Sequence, residues 1–179
     1  MTYRVYFYAE QAFLAQTKAI LEQDDKAKEH GGAAICFLAC AAAIEAVANN
    51  LLSKTIEFRH YDELRITSKI EHILLFGKIE PTWGIEPWQS VKHLIKIRNW
   101  LTHYKENDIG LVNSDFVWLT DTANKAPNID PYKELTFLNA RKHYDQTRCA
   151  LKILVKCSGL KESEFDFLNT EEYEPFLVG

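Results

Sequence analysis

The segment from residue 33 to residue 52 constrains the fold more than any other part of the chain. It reads AAICFLACAAAIEAVANNLL, and its polar side chains are Glu45, Asn49 and Asn50. Alanine has the highest helix propensity, and a helix that is apolar nearly all round is a buried one. The segment therefore predicts a central helix packed closely by its neighbours, with Glu45 and Asn49 one turn apart on one face.

Apolar periodicity predicts two further helices in the first half of the chain. A three-four rhythm indicates a first long helix from about Val5 to Lys26, with the Gly31-Gly32 pair as its stop signal. The polar stretch 53–67 is expected to be a connection. Ser68 can cap a short helix over residues 69–76 that ends at Gly77.

The second half predicts two more long helices. One begins near Trp88, after a stretch broken by proline and glycine, and stops just before Lys105. Residues 105–129 predict a loop or a small hairpin. Asp130 and Pro131 are a cap and a first position for the last helix. Its apolar stripe is spaced for helix pairing and consists of Phe137, Ala140, Tyr144, Thr147, Leu151 and Leu154.

These elements predict an all-α fold: an up-and-down bundle of four long helices plus a short one. We expect residues 1–161 to form a single domain and residues 162–179 to be an acidic tail. The formal charge of the chain is −4, but the tail holds six acidic and no basic residues, so residues 1–161 carry +2. The total charge therefore does not exclude a local basic groove.

The N-terminal sequence, the longest apolar run and the cysteines together suggest a cytoplasmic protein. The N-terminus lacks the basic-then-apolar layout of a signal peptide. The longest apolar run, 33–44, is shorter than the ~20 residues that span a bilayer, so no membrane partner is expected. Four cysteines (Cys36, Cys40, Cys149 and Cys157) lack metal-ligand spacing and are expected to be buried, reduced thiols.

Arg98 is the side chain that most suggests chemistry. The helix period of the run that begins at Trp88 places it on or beside the apolar face, where a permanent charge needs an anion or several acceptors. His103 lies five residues on, about 140° round an ideal helix, at the expected helix end. A permanent cation that can hold a phosphate, beside a side chain that titrates near neutrality, suits phosphodiester cleavage.

Arginine, four residues, then histidine, with Asn99 directly after the arginine at the end of a helix, resembles the signature of the HEPN superfamily (higher eukaryotes and prokaryotes nucleotide-binding). The alanine-rich helix with Glu45 and Asn49 is a second point of resemblance. That superfamily consists of all-helical domains, many of them metal-independent endoribonucleases of toxin and anti-phage systems. In toxins paired with a minimal nucleotidyltransferase, a tyrosine stands two residues after the histidine. Here that position is Lys105, and Tyr104 directly follows the histidine, so the resemblance reaches the superfamily only.

The resemblance implies roles for these side chains. His103 would be a general acid or base, and Arg98 would stabilise charge on the phosphoryl oxygens. Asn99, Glu45, Asn49 and Tyr104 would support the pair, while Lys105 and Lys96 would contact RNA. Each has a structural alternative: Arg98 as a core-edge cation paired with Glu45, His103 or Asn99 as a helix cap, and Lys96 as part of a solvated basic face. The strip Lys92, His93 and Lys96 and the run Arg141, Lys142 and His143 are both interpreted most simply as solvated faces.

We therefore expect a metal-independent endoribonuclease of toxin or anti-phage type, with no cofactor. The resemblance implies a homodimer whose two motifs share one cleft, RNA as the substrate, and an antitoxin or regulatory protein as a possible partner. The alternative is a non-catalytic helical module that binds a protein or a nucleotide and keeps the Arg-His pair as a structural bridge.

Overall fold

The computed structural model describes residues 4–5, 9–23, 25–55, 60–102, 109–112, 115–118, 130–160 and 177–178. This part of the chain is predominantly helical, so the predicted all-α class is confirmed. The helices are α1 (Ala9–Gln23), α2 (Glu29–Thr55), α3 (Ile66–Phe76), α4 (Trp88–Thr102), α5 (Pro131–Glu134) and α6 (Phe137–Ser158), with 3-10 turns at Lys26–Lys28 and Tyr61–Glu63.

Two short antiparallel strand pairs accompany the helices. Strands β2 (Ile109–Val112) and β3 (Asp115–Trp118) pair with Ile109 opposite Trp118, within the stretch where the sequence predicted a loop or hairpin. Strands β1 (Arg4–Val5) and β4 (Leu177–Val178) pair with Arg4 opposite Val178. The rest of the predicted acidic tail lies outside the described residues.

Helix α2 is the centre of the fold, as its alanine content predicted. It packs against α1, α3, α4 and α6, and Phe37, Ile44 and Leu51 are among its fully buried side chains. It is also longer than the predicted segment 33–52, and by length and composition alone it could cross a membrane. More than half of its most apolar stretch is buried inside the protein, as in the core helix of a globular fold.

The prediction that Gly31-Gly32 ends a helix was wrong. Helix α1 ends earlier, at Gln23, and Asp25 caps the following 3-10 turn by accepting a hydrogen bond from Ala27 N–H. Helix α2 then runs through both glycines. A β-carbon at Gly32 would lie 2.8 Å from Cε1 of Phe137. This glycine therefore serves the close packing of α2 against α6 rather than a turn.

The short helix α3 begins two residues before the predicted Ser68 cap. Arg65 occupies the cap position and makes no side-chain capping hydrogen bond. The helix ends at Phe76 with Gly77 as its C-cap, as predicted. Ile66, Lys69, Ile70 and Ile73 share the inward face, so Lys69 is carried into the interior, where only 1% of the residue is exposed.

The predicted last helix is interrupted near its start. Asp130 caps only the one-turn helix α5, through Tyr132 N–H, and α6 starts afresh with Thr136 as its N-cap. Two contacts from the start of α2 stabilise the chain between α5 and α6. Glu29 Oε1 accepts from Phe137 N–H at 3.1 Å, and His30 Nδ1 lies 2.8 Å from the carbonyl oxygen of Leu135.

The pairing stripe of α6 is confirmed, since five of its six residues are buried and Tyr144 is partly buried. The prediction for the cysteines holds for three of the four. Cys36, Cys40 and Cys157 are buried, whereas Cys149 is exposed because it lies off that stripe. Burial raises the pKa of Cys36 to about 11 and that of Cys40 to about 12, so these thiols remain protonated near neutral pH.

Candidate functional site

Helix α4 presents the candidate motif at its C-terminal end. Trp88, Val91, Leu94 and Ile97 are buried and fix the helix to the core, which leaves Arg98 at the edge of the apolar face. Arg98 Nη2 lies 3.6 Å from Oε2 of Glu45. Its side chain is 41% exposed. The guanidinium is therefore held on one side and open on another.

Asn99 and Thr102 complete the last turn of α4. Arg98 Nη1 donates a hydrogen bond to Oδ1 of Asn99 at 3.1 Å. Thr102 Oγ1 donates to the carbonyl oxygens of Arg98, at 2.9 Å, and of Asn99, at 3.3 Å. A threonine hydroxyl commonly donates in this way to the carbonyl oxygens three and four residues before it in a helix. His103, Tyr104 and Lys105 lie outside the described residues, so the predicted approach of the His103 ring to Arg98 stays a prediction.

Glu45 links two cations rather than one. Its Oε1 lies 3.6 Å from Nζ of Lys69, while its Oε2 faces Arg98. The Lys69 side chain is only 2% exposed, whereas Glu45 is 36% exposed. The sequence indicated Glu45 as the partner of Arg98 but did not single out Lys69. A signal was present, because Lys69 stands three residues after Ile66 and four before Ile73 on the apolar face of α3.

Asn49 lies one turn beyond Glu45 on α2. It is partly buried, and its Oδ1 is buried with no hydrogen-bond partner among the described residues. Buried amide oxygens are nearly always satisfied in folded proteins. Asn49 therefore stays a candidate supporting residue, and no described contact joins it to Arg98.

Lys96 lies in a different place from Arg98. It lines a groove of about 560 Å³ between α4 and α6, and Arg98 is not part of that groove. We call this feature the α4–α6 groove; the residues that bear on its chemistry are Glu86, His93, Lys96, Glu134, Lys142 and His143. The structure thus separates Lys96 from the arginine that the sequence placed in the same substrate site.

The interpretation of His143 as part of a solvated face was wrong. Only 6% of the residue is exposed, because α6 turns this position inward between α2 and α4. The ring centroid of His143 lies 5.1 Å from that of Phe37 and 5.4 Å from that of His93, against which it is stacked. Its place three residues after Ala140 and four before Thr147 was the missed signal of burial.

Both histidines of the groove have defined electrostatic surroundings. Nε2 of His93 lies 3.1 Å from Oε2 of Glu134, and both side chains are about one-third exposed. Burial disfavours the imidazolium form of His143 and lowers its pKa from 6.5 to about 4. His93 and Lys142 add to this lowering, and Glu86 and Glu134 oppose it. His143 is therefore neutral near pH 7.

Glu86 lines the groove two residues before the start of α4. Its carboxylate accepts hydrogen bonds from Ser90 N–H at 3.1 Å and Ser90 Oγ–H at 2.8 Å, and it lies 3.4 Å from Nζ of Lys142. Burial raises the pKa of Glu86, but the hydrogen bonds from Ser90 and Lys142 outweigh it and hold that pKa below 4.5. The Glu86 carboxylate is therefore charged near neutral pH. Its hydrogen bonds to Ser90 hold it against the first turn of α4.

Within the described ranges, no three His, Cys, Asp or Glu side chains are grouped so that they could hold a metal ion. The chemical features of the described residues are instead two. One is the partly exposed guanidinium of Arg98 at the end of α4, and the other is the α4–α6 groove, which His93 and His143 line. No protein-family model matches the sequence, and no curated protein or solved structure is significantly similar to it.

Proposed function

We propose that this chain is an endoribonuclease of the HEPN type that cleaves RNA without a metal ion. Arg98 would bind the scissile phosphate, and His103 would act as the general acid or base. The observation that carries the proposal is the state of Arg98. Its guanidinium is fixed by Glu45 and Asn99 and still remains 41% exposed, and His103 follows Thr102, the last residue of α4.

A guanidinium held in this way suits phosphate chemistry. Its planar donors match phosphate oxygens, and fixing it beforehand reduces the ordering needed when charge develops in the transition state. In the proposed reaction the ribose 2′-hydroxyl attacks the adjacent phosphorus, and its proton passes to a base. The bond from phosphorus to the 5′-oxygen breaks, and that oxygen takes a proton. The products carry a 2′,3′-cyclic phosphate and a 5′-hydroxyl.

The proposal includes an assembly. A homodimer would bring two copies of the motif to one RNA cleft, with α1, α2, α4 and α6 arranged as an up-and-down bundle. The packing of α2 against α1, α4 and α6, and of α6 against α1 and α4, supports such a bundle. A cytoplasmic toxin or anti-phage role, restrained by an antitoxin or regulatory protein, belongs to the same proposal.

A second candidate is a non-catalytic binding module in which Arg98 is a structural bridge. The 3.6 Å approach of Arg98 to Glu45 favours it. The two candidates make opposite predictions. A bridge would contribute to stability and leave RNA intact, whereas a partly exposed catalytic arginine contributes less than about 1 kcal/mol to stability.

The test is cleavage of total RNA by the purified full-length protein in EDTA. Wild type is compared with Arg98→Ala, Arg98→Lys and His103→Ala, with Lys152→Ala as a control for loss of an exposed positive charge on α6. We expect both alanine variants to lose at least about 100-fold in rate, since catalytic proton transfer alone contributes 10²–10⁴-fold. Arg98→Lys should recover little, because an ammonium cannot donate two parallel hydrogen bonds.

The cleaved ends and the oligomeric state complete the test. Intact RNA with wild type, or equal cleavage by all variants, would refute the nuclease proposal. Products with plain 3′-hydroxyl ends would contradict the 2′-hydroxyl mechanism. A monomer at micromolar concentration in analytical ultracentrifugation would contradict the shared cleft.

A further inference from the structure

Lys69 is a buried cation to which the proposed reaction assigns no role. Only 2% of its side chain is exposed, and its Nζ lies 3.6 Å from Oε1 of Glu45. It lies on the inward face of α3 beside the fully buried Ile70 and Ile73. Taking an ammonium out of water is costly. Packing alone does not offset that cost, because an uncharged methionine of similar length would fill the same space.

The position of Lys69 affects how Glu45 meets Arg98. One oxygen of Glu45 faces Lys69 and the other faces Arg98. Nη2 of Arg98 lies 3.6 Å from Oε2 of Glu45, which is longer than the distance of about 2.7–2.9 Å in a charge-assisted hydrogen bond. Nη1 of Arg98 donates instead to Oδ1 of Asn99. Glu45 therefore restrains Arg98 without the two parallel hydrogen bonds that arginine and a carboxylate commonly form.

Such a doubly hydrogen-bonded pair would suit phosphate binding poorly. Two of the guanidinium donors would be engaged by Glu45, and the pair would carry no net charge. With Lys69 present, two cations share one carboxylate, which leaves one positive charge in excess, and Arg98 stays 41% exposed. Lys69 is enclosed and therefore fixed, whereas Glu45 is 36% exposed and can turn once nothing holds its Oε1.

We infer that Lys69 is a positioning residue for Arg98. By holding one oxygen of Glu45, it keeps that carboxylate from closing on the guanidinium, so that donors of Arg98 remain for an RNA phosphate. Lys69 acts only through Glu45, because its enclosed side chain cannot reach RNA itself. The inference rests on the proposed cleavage of RNA, and it adds a residue of α3 to a site that the sequence placed on α2 and α4.

The test measures kcat/KM for cleavage of a short fluorogenic RNA by the full-length protein in EDTA. In Lys69→Met, Glu45 can turn both oxygens to Arg98 and compete with the phosphate. We expect kcat/KM to fall about tenfold or more, because one charge-assisted hydrogen bond contributes a factor of this order. Lys69→Leu, a second uncharged replacement, should show the same loss. Lys152→Met removes an exposed lysine from α6 and should leave kcat/KM unchanged.

A second substitution separates positioning from a structural role. Glu45→Gln in the Lys69→Met background replaces the carboxylate with a neutral amide. An amide has one acceptor oxygen and cannot form the two parallel hydrogen bonds with Arg98. The double variant should therefore recover most of the lost rate, although its free energy of unfolding should not rise. A lysine that served stability alone would give no recovery. Circular dichroism shows that each variant remains helical.

NMR of the Arg98 side chain, assigned by comparison with Arg98→Ala, provides a readout that does not require cleavage. Guanidinium protons exchange with water more slowly when two nitrogens donate to one carboxylate. We expect slower exchange in Lys69→Met and exchange as in wild type in the double variant.

Three results would overturn the inference about Lys69 and leave the proposed function standing. They are equal kcat/KM in wild type and Lys69→Met, no recovery in the double variant, and an Arg98 signal that Lys69→Met does not change. Intact RNA with wild type would instead refute the proposed function, and the role of Lys69 with it.

Discussion

Comparing Glu45→Gln with Arg98→Ala separates the two interpretations of Arg98. The change removes one negative charge between two cations that differ in burial. Lys69 is 2% exposed and Arg98 is 41% exposed. Water can compensate Arg98 for the loss of Glu45, but it can do little for the ammonium of Lys69. The loss of stability in Glu45→Gln should therefore come mainly from leaving the buried ammonium of Lys69 without a counter-charge.

The expected magnitude follows from these exposures. Removing one partner of a buried ion pair costs about 3–5 kcal/mol. Glu45 itself is 36% exposed, which places Glu45→Gln near the lower end, at about 3 kcal/mol. For a chain of this size that corresponds to a decrease of roughly 6–12 °C in Tm. Arg98→Ala should cost less than about 1 kcal/mol.

The assay is a double-mutant cycle by urea denaturation at pH 7. Lys69→Met has similar length and no charge, and alone it should change the free energy of unfolding by no more than about 1 kcal/mol. In that background, Glu45→Gln should cost less than about 1 kcal/mol, which gives a coupling energy of about 2 kcal/mol. Arg98→Ala is the matched control for the second cation.

Two results would refute this reasoning. If Glu45→Gln costs the same with and without Lys69, the buried lysine does not depend on Glu45. If Arg98→Ala costs as much as Glu45→Gln, Arg98 is a structural bridge, and the second candidate function gains the support that the nuclease loses.

Two further predictions concern the helix packing and the groove. Gly31→Ala should stabilise the protein by about 0.5 kcal/mol, since a β-carbon there meets open space. Gly32→Ala should destabilise it by about 1–2 kcal/mol, because its β-carbon would lie 2.8 Å from the ring of Phe137. Burial lowers the pKa of His143 from its ordinary value of 6.5, which applies in the unfolded chain, to about 4 in the folded protein, so the unfolded chain binds the proton first as pH falls. His143 should therefore reduce the free energy of unfolding by about 3 kcal/mol between pH 7 and pH 4.

Thermal and urea denaturation of each variant against wild type measures these effects. The two glycine variants control each other, and stabilisation by both would show that the Phe137 ring yields at little cost. For the histidine, His143→Phe should flatten the pH dependence of stability relative to wild type. An unchanged slope in His143→Phe would refute the assignment.

Local patterns in the sequence predicted much of the fold. The alanine-rich segment predicted a buried α2, the three-four stripe predicted the inward face of α6, and Gly77 predicted the end of α3. Each depends on the spacing of residues within one helix, which is visible in the sequence. The partnership of Glu45 with Arg98 was also within reach, because a charged residue on each of two apolar faces suggests pairing.

Other features depend on contacts between distant parts of the chain. The continuation of α2 through Gly32 needs Phe137, and the interruption before α6 needs Glu29 and His30. From local sequence alone, a glycine pair predicts the end of a helix, and an aspartate followed by proline predicts the start of one. In this fold the tertiary contacts override both local signals. The α4–α6 groove escaped prediction for the same reason, since only packing shows that His93 and His143 stack.

The interruption between α5 and α6 has a consequence for how the groove is built. Glu134, which faces His93, is the last residue of a one-turn helix. The chain just after it is fastened to the first turn of α2 through Leu135 and Phe137. The position of Glu134 in the groove thus depends on α2, although no side chain of α2 lines the groove. Movement at the beginning of α2 would therefore change the 3.1 Å distance between the carboxylate of Glu134 and the imidazole of His93.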